Sequence, residues 1–125
     1  MNACKIFVAC CIAALPALAQ SGAPAEPAAD RGWQLAGSLG LMKFVVVSGE
    51  RIRERAFYDG AIGALCEPDT TCFLRFFTNS TDAPVAMPLA DAILAEPAAS
   101  FQRSVKQSNE VFEWSCRLQV PGNCF

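Results

Sequence analysis

The residues of this chain best suited to chemistry are its thiols. Of its seven cysteines, Cys66 and Cys72 stand six positions apart in "CEPDTTC", and Cys116 and Cys124 stand eight apart near the end. The other three, Cys4, Cys10 and Cys11, fall at the very start. A redox pair is normally Cys-x-x-Cys at the start of a helix, where the dipole lowers a thiol pKa. Here the spacing is wider, and Cys66 falls where a helix is expected to end. A zinc clasp needs two close Cys-x-x-Cys pairs or histidines to complete it, and the chain has no histidine. A structural staple is what remains.

Four cysteines in a short exported chain predict two disulfides, with three connectivities open. Local pairing, Cys66–Cys72 and Cys116–Cys124, is the expectation, because each pair brackets its own turn signal, "EPDT" and "RLQVPGN". A bridge from a loop cysteine to a C-terminal one stays open at this point.

The missing histidine also removes the commonest general base and the Ser-His and Cys-His nucleophile pairs. Neither Gly-x-Gly-x-x-Gly nor Gly-x-x-x-x-Gly-Lys occurs, so no phosphate loop is visible. Asp69 and Asp82 stand in separate turns, unlike a calcium loop. No local spacing pairs carboxylates as glycoside hydrolysis requires. The inventory therefore argues for a non-catalytic chain with no cofactor and no metal. Two alternatives are carried beside it: a thiol-dependent redox protein using Cys66 and Cys72, and a small hydrolase built on carboxylates.

Two groups of residues are candidates for binding. In "GERIRERAFYD", Arg51 and Arg55 are one helical turn apart and so placed to hold a phosphate or carboxylate together. The same stretch also reads as a solvated face, with Glu50–Arg53 and Arg55–Asp59 as ion pairs at helical spacing. In "CFLRFFT", Phe73, Arg75 and Phe77 alternate with Cys72, Leu74 and Phe76. If Leu74 and Phe76 meet the helices, the first three form an outer strip of aromatic rings around a charge, a mixture that protein interfaces favour. Burial in the core is the ordinary fate of such rings. Over the loop alone, "CEPDTTC" resembles the protruding disulfide loop of periplasmic lysozyme inhibitors of the Ivy type. Its spacing differs by one residue and that family's loop histidine is absent, so the resemblance exemplifies a disulfide turn used as a binding protrusion.

These residues need a frame and a compartment. The opening "MNACKIFVACCIAALPALAQSG" has one lysine, an apolar run from Ile6 to Leu15 and small residues at Ala17 and Ala19. That layout predicts a signal peptide over residues 1–19, cleaved near Ala19 in a bacterial exporter. The apolar run is too short for a transmembrane anchor. Phe7 stands where lipid attachment to Cys10 would want an aliphatic residue, so all three early cysteines are expected to leave with the leader. "QSGAPAEPAAD", residues 20–30, reads as an Ala/Pro-rich linker. The folded domain is expected over residues 31–125, periplasmic or secreted. A formal net charge of −2 without a basic run argues against nucleic acid as a partner and leaves another periplasmic protein as the candidate.

Within the domain, Lys43–Val47 reads as a strand. Helical spacing of Ile52, Ala56, Phe57, Ala61, Ile62 and Leu65 predicts a helix over Glu50–Leu65 with Ser48 as its cap. Gly60 and Gly63 inside it suggest that a strand packs closely over them. Cys72–Thr78 is the second strand. A second helix is expected from Pro88, breaking near Glu96, with a short turn through Phe101 and Arg103. Glu110–Leu118 is the last strand, with Phe112, Trp114, Cys116 and Leu118 on its buried side. The sum is an α+β fold: a small two-layer α/β sandwich in the order strand-helix-strand-helix-strand, with both helices on one side and two disulfides as braces.

Overall fold

The computed structural model describes residues 31–125; the expected leader over residues 1–19 and linker over residues 20–30 lie outside the described residues. Five strands form one mixed sheet in sequence order: β1 Trp33–Leu39, β2 Met42–Val47, β3 Cys72–Thr78, β4 Pro97–Ser104 and β5 Asn109–Trp114. Two helices join them, α1 Arg55–Leu65 and the single turn α2 Asp91–Leu94, and a 3-10 turn Cys116–Leu118 follows β5. Only β2 and β3 are parallel; the other neighbours are antiparallel. A parallel pair needs a crossover long enough to carry the chain back along the sheet, and α1 provides it.

The expected strand-helix-strand-helix-strand order is not matched, and each difference has a physical reason. β1 is an additional strand. "WQLAGSL" alternates poorly, but its pairing with β2 is set by a two-residue turn at Gly40–Leu41, where Gly40 takes a φ of 59°. Hairpin turns that match the twist of the strands demand that positive φ. Its register shifts between Leu35 and Gly37, and the Met87 side chain fills the place where a β-carbon on Gly37 would stand.

α1 begins at Arg55 rather than Glu50. Ser48 does not cap it: the Ser48 N–H donates to the Gly32 carbonyl at 2.7 Å and closes the hairpin instead. The stretch from Pro97 through Arg103, expected as a kinked helix end and turn, is β4. Proline cannot continue a helix but fits the first residue of a strand. Ala98, Ala99, Ser100 and Phe101 are all buried there, which hides the alternation that marks a half-exposed strand. β5 stops at Trp114. Ser115 is then buried and Cys116 exposed, the reverse of the expected alternation, because the chain turns into the 3-10 segment. Along the outer side of β5, Cys124 bridges to Trp114, and the Phe125 N–H donates to the Trp114 carbonyl at 3.0 Å.

The core has two parts on opposite faces of the sheet. On one face α1 packs Phe57, Tyr58, Ala61 and Ile62 against Val45, Val47, Leu74, Phe76 and Phe101. Tyr58, absent from the expected apolar face, is its centre: its ring lies 5.0 Å from Phe76, 5.3 Å from Trp114 and 5.5 Å from Phe112. Edge-on ring geometry of this kind adds stabilisation beyond the area buried. Ala56, assigned to the buried side from its spacing, is exposed, and nothing lies within 4 Å of a β-carbon placed on Gly60 or Gly63. Both glycines face outward, so no strand packs over them. On the other face Val46 and Phe77 meet Leu89 and Ile93 of the segment that contains α2. The helices therefore lie on both sides of the sheet rather than on one.

Candidate binding face and disulfide loop

Both disulfides join local partners, Cys66 to Cys72 and Cys116 to Cys124. The first closes the chain between the end of α1 and the start of β3, and both of its half-cystines are buried. The loop between them is held from within: the Thr70 hydroxyl donates to the Glu67 carbonyl at 2.7 Å, and Asp69 takes a positive φ of 59°. A cleft of about 510 Å³ runs between this loop, the end of α1 and the Gly40–Leu41 turn. Inside it the Lys43 ammonium donates to the Leu65 carbonyl at 2.5 Å. Lys43 thus satisfies a carbonyl orphaned at the helix end and adds a positive charge at the negative pole of the helix dipole.

Arg51 and Arg55 do not form a shared anion site. Arg55 pairs with Asp59 at 3.0 Å, as the helical spacing suggested, and Arg51 pairs with Glu54 at 2.6 Å, a partner not expected from the sequence. Arg55 also stacks 3.9 Å over the Phe112 ring. The Glu50–Arg53 pairing is replaced by a bond from Arg53 to the Leu118 carbonyl at 3.0 Å. Each guanidinium is occupied by its own neighbours, and both ion pairs are exposed, where such pairs contribute little.

A polar joint that the sequence does not announce lies at the other end of the sheet. Arg117 donates to the Pro97 carbonyl at 2.6 Å, to the Thr78 hydroxyl at 2.7 Å and to the Glu96 carbonyl at 3.0 Å. The Thr78 hydroxyl in turn donates to the Glu96 carboxylate at 3.1 Å, and the Ser80 N–H donates to its second oxygen at 3.0 Å. Desolvation alone would raise the Glu96 pKa; the bonds from Ser80 and Thr78 and the charge of Arg117 outweigh it and hold the carboxyl below its ordinary value. These groups spend their bonds on one another and tie the end of β3, the start of β4 and the turn after β5 into one joint. Nothing in the local spacing of Thr78, Glu96 and Arg117 could have marked it, because the three meet only through the sheet.

The face of the sheet opposite α1 holds the remaining candidates. Phe73 and Arg75 point to this side, as the alternation of β3 requires: Phe73 is half-buried and Arg75 exposed. Phe77 is on the same side but buried, under Leu89 and Ile93, so it belongs to the second core and not to an outer strip. The register builds two rows across the open part of the face. One runs Met42, Phe73, Gln102, Val111; the other runs Phe44, Arg75, Ser100, Glu113. Residues paired directly across neighbouring strands share a face, so each row is a line of adjacent side chains. The cover over Val46 and Phe77 comes from the segment that carries Val85, Met87, Leu89 and Ile93; in the rows beyond it Gln102 and Val111 are exposed, Glu113 is half-buried and Ser100 is buried. Among the described residues neither the Arg75 nor the Glu113 side chain makes a hydrogen bond or an ion pair.

Among the described residues no three His, Cys, Asp or Glu side chains gather as a metal site would require, and no helix is long and apolar enough to cross a membrane. Compared with protein-family models, curated proteins and solved structures, the chain matches none.

Proposed function

We propose that this chain is an exported, disulfide-braced binding domain without catalytic machinery, and that it acts through the open part of the outer sheet face at Phe73 and Arg75. One observation carries the reading: an arginine without a side-chain partner stands between half-buried apolar side chains on a face that α1 does not reach and the short α2 covers only in part. An exposed aromatic flanked by arginine gains on docking both ring burial and a desolvated, hydrogen-bonded charge. The compartment reading rests on the leader-like N-terminus together with two disulfides, which persist in oxidising surroundings. Neither the redox nor the hydrolase alternative gains a supporting observation, since the Cys66 and Cys72 sulfurs are joined and buried.

The test is affinity capture from a bacterial envelope extract on immobilised wild-type protein, with Phe73→Ala and Arg75→Ala as comparisons. Specific capture that both substitutions abolish, with the folded spectrum unchanged, is the expected result. Capture indifferent to both substitutions would move the function away from this face.

A further inference from the structure

We propose that the occupant of the outer face is a second copy of this chain, docked sheet to sheet about a two-fold axis running along β4. The inference rests on the reading of this face as the binding surface and names its partner. It follows from the register. Arg75 and Glu113 are both opposite Ser100, one on each side of β4, and Phe73 and Val111 are both opposite Gln102. β4 is thus a line of near-symmetry, with opposite charges and complementary apolar groups placed equally far to either side.

A two-fold axis lying between two such sheets and along β4 exchanges the strands that flank it. It sets β3 of one copy over β5 of the other and keeps each residue at its own height along the strands. Arg75 then faces the second copy's Glu113, and Phe73 faces the second copy's Val111, each contact occurring twice. Gln102, which is exposed, meets its own counterpart on the axis, while Ser100 is already buried between Arg75 and Glu113. Sheets packed face to face lie about 10 Å apart, a gap that an arginine and a glutamate bridge from opposite sides. Such an isologous contact closes on itself and leaves no open end.

The arrangement also settles where the two unpaired charges go. Within one copy Arg75 and Glu113 stand two strands apart, on either side of β4, and make no ion pair with each other. Across the axis each acquires the other's sign. The cover that holds Leu89 and Ile93 packs on Val46 and Phe77, so the contact is centred toward the other end of β4, at the exposed Gln102.

Charge exchange separates this dimer from any other. Sedimentation equilibrium of the purified chain should show a dimer at micromolar concentrations. Arg75→Glu and Glu113→Arg should each weaken it by at least about tenfold, because like charges then face each other twice. The double exchange should restore association to near the wild-type value. A chain that stays monomeric, or a dimer unmoved by either exchange, overturns the proposal; the second result would point to the β1 edge and its exposed Leu39. Should an exchanged variant fold poorly, Gln102→Cys with a short bis-maleimide supplies a separate reading. Efficient cross-linking of two copies supports the axis, and none, with the cysteine shown to be reactive, refutes it. A monomer that still captures an Arg75-dependent partner would leave the binding face standing and remove only the second copy.

Discussion

On the α1 side of the sheet, Val45, Leu74 and Phe76 are 0% exposed, and the rings of Tyr58, Phe112 and Trp114 close over them. On the other side Val46 and Phe77 are covered, while Phe73, Arg75 and Val111 are left half or fully open. The difference lies in the covers. At about 1.5 Å per residue, an eleven-residue helix runs roughly 16 Å, most of the length of a strand here, whereas the four-residue turn of α2 reaches only about 6 Å. The rest of the second cover is irregular chain through Met87 and Pro88, which packs where it touches and stops there. A sheet with one long and one short cover has a built-in surface left over.

Alanine at the two kinds of position measures that contrast most directly. Phe76→Ala should cost about 3–5 kcal/mol in chemical denaturation, and Phe73→Ala well under half as much. Equal losses would mean that the outer face is core after all. Phe77→Ala belongs with Phe76, which separates the covered from the open end of the same strand.

The next effect in size concerns the braces. Replacing Cys66 and Cys72 together by alanine should cost about 2–3 kcal/mol, read from the denaturation midpoint without reductant. The same change at Cys116 and Cys124 opens a loop of similar length, but both of those half-cystines are exposed, so less packing is lost. A larger loss at the second pair would show that the C-terminal clasp on β5 matters more than the inner cover.

A smaller change probes the centre of the covered face. The Tyr58 hydroxyl donates to the Ile52 carbonyl at 2.7 Å, so Tyr58→Phe should cost about 1–1.5 kcal/mol. Burial, opposed by the charges of Arg117 and Arg53, pushes the Tyr58 phenol well above its ordinary value. In the folded state it keeps its proton where the unfolded chain loses it. Stability is therefore fully present below pH of about 10 and falls as the pH rises beyond. The phenylalanine variant should lack that part of the alkaline decline in a pH series of melting temperatures.

Smallest of all, and opposite in sign, are the glycines of α1. With open space beyond both, Gly60→Ala or Gly63→Ala should raise stability by about 0.5–1 kcal/mol each. A loss instead would reveal a close neighbour on the outer side of α1.

How much of this was legible in the sequence depended on distance along the chain. The bounds of β3, the end of α1 and both disulfides rest on local signals: an alternating run, an apolar period, cysteines around their own turns. The fate of Phe77 did not, because its cover comes from Leu89 and Ile93 beyond an irregular loop. β4 was misread since Ala98 to Phe101 are buried one after another, which hides the period of two, and alanine-rich segments then look helical. Tyr58 was absent from the expected apolar face, although a single bond to a backbone carbonyl is enough to let its ring sit at the centre of the core. Of the candidate site, Phe73 and Arg75 could be read from alternation alone. Glu113 could not be joined to them until the register placed both charges beside Ser100.

The two disulfides have a consequence in time as well as in space. Their partners are separated by only six and eight positions, and the pairs do not interleave. A chain made N-terminus first presents Cys66 and Cys72 together, well before Cys116 exists. At roughly 5–20 residues per second, that lead is on the order of seconds. Among Cys66, Cys72, Cys116 and Cys124, an oxidant that meets the chain as it emerges therefore finds one pair at a time. Order of emergence can do the work of a disulfide isomerase for this domain.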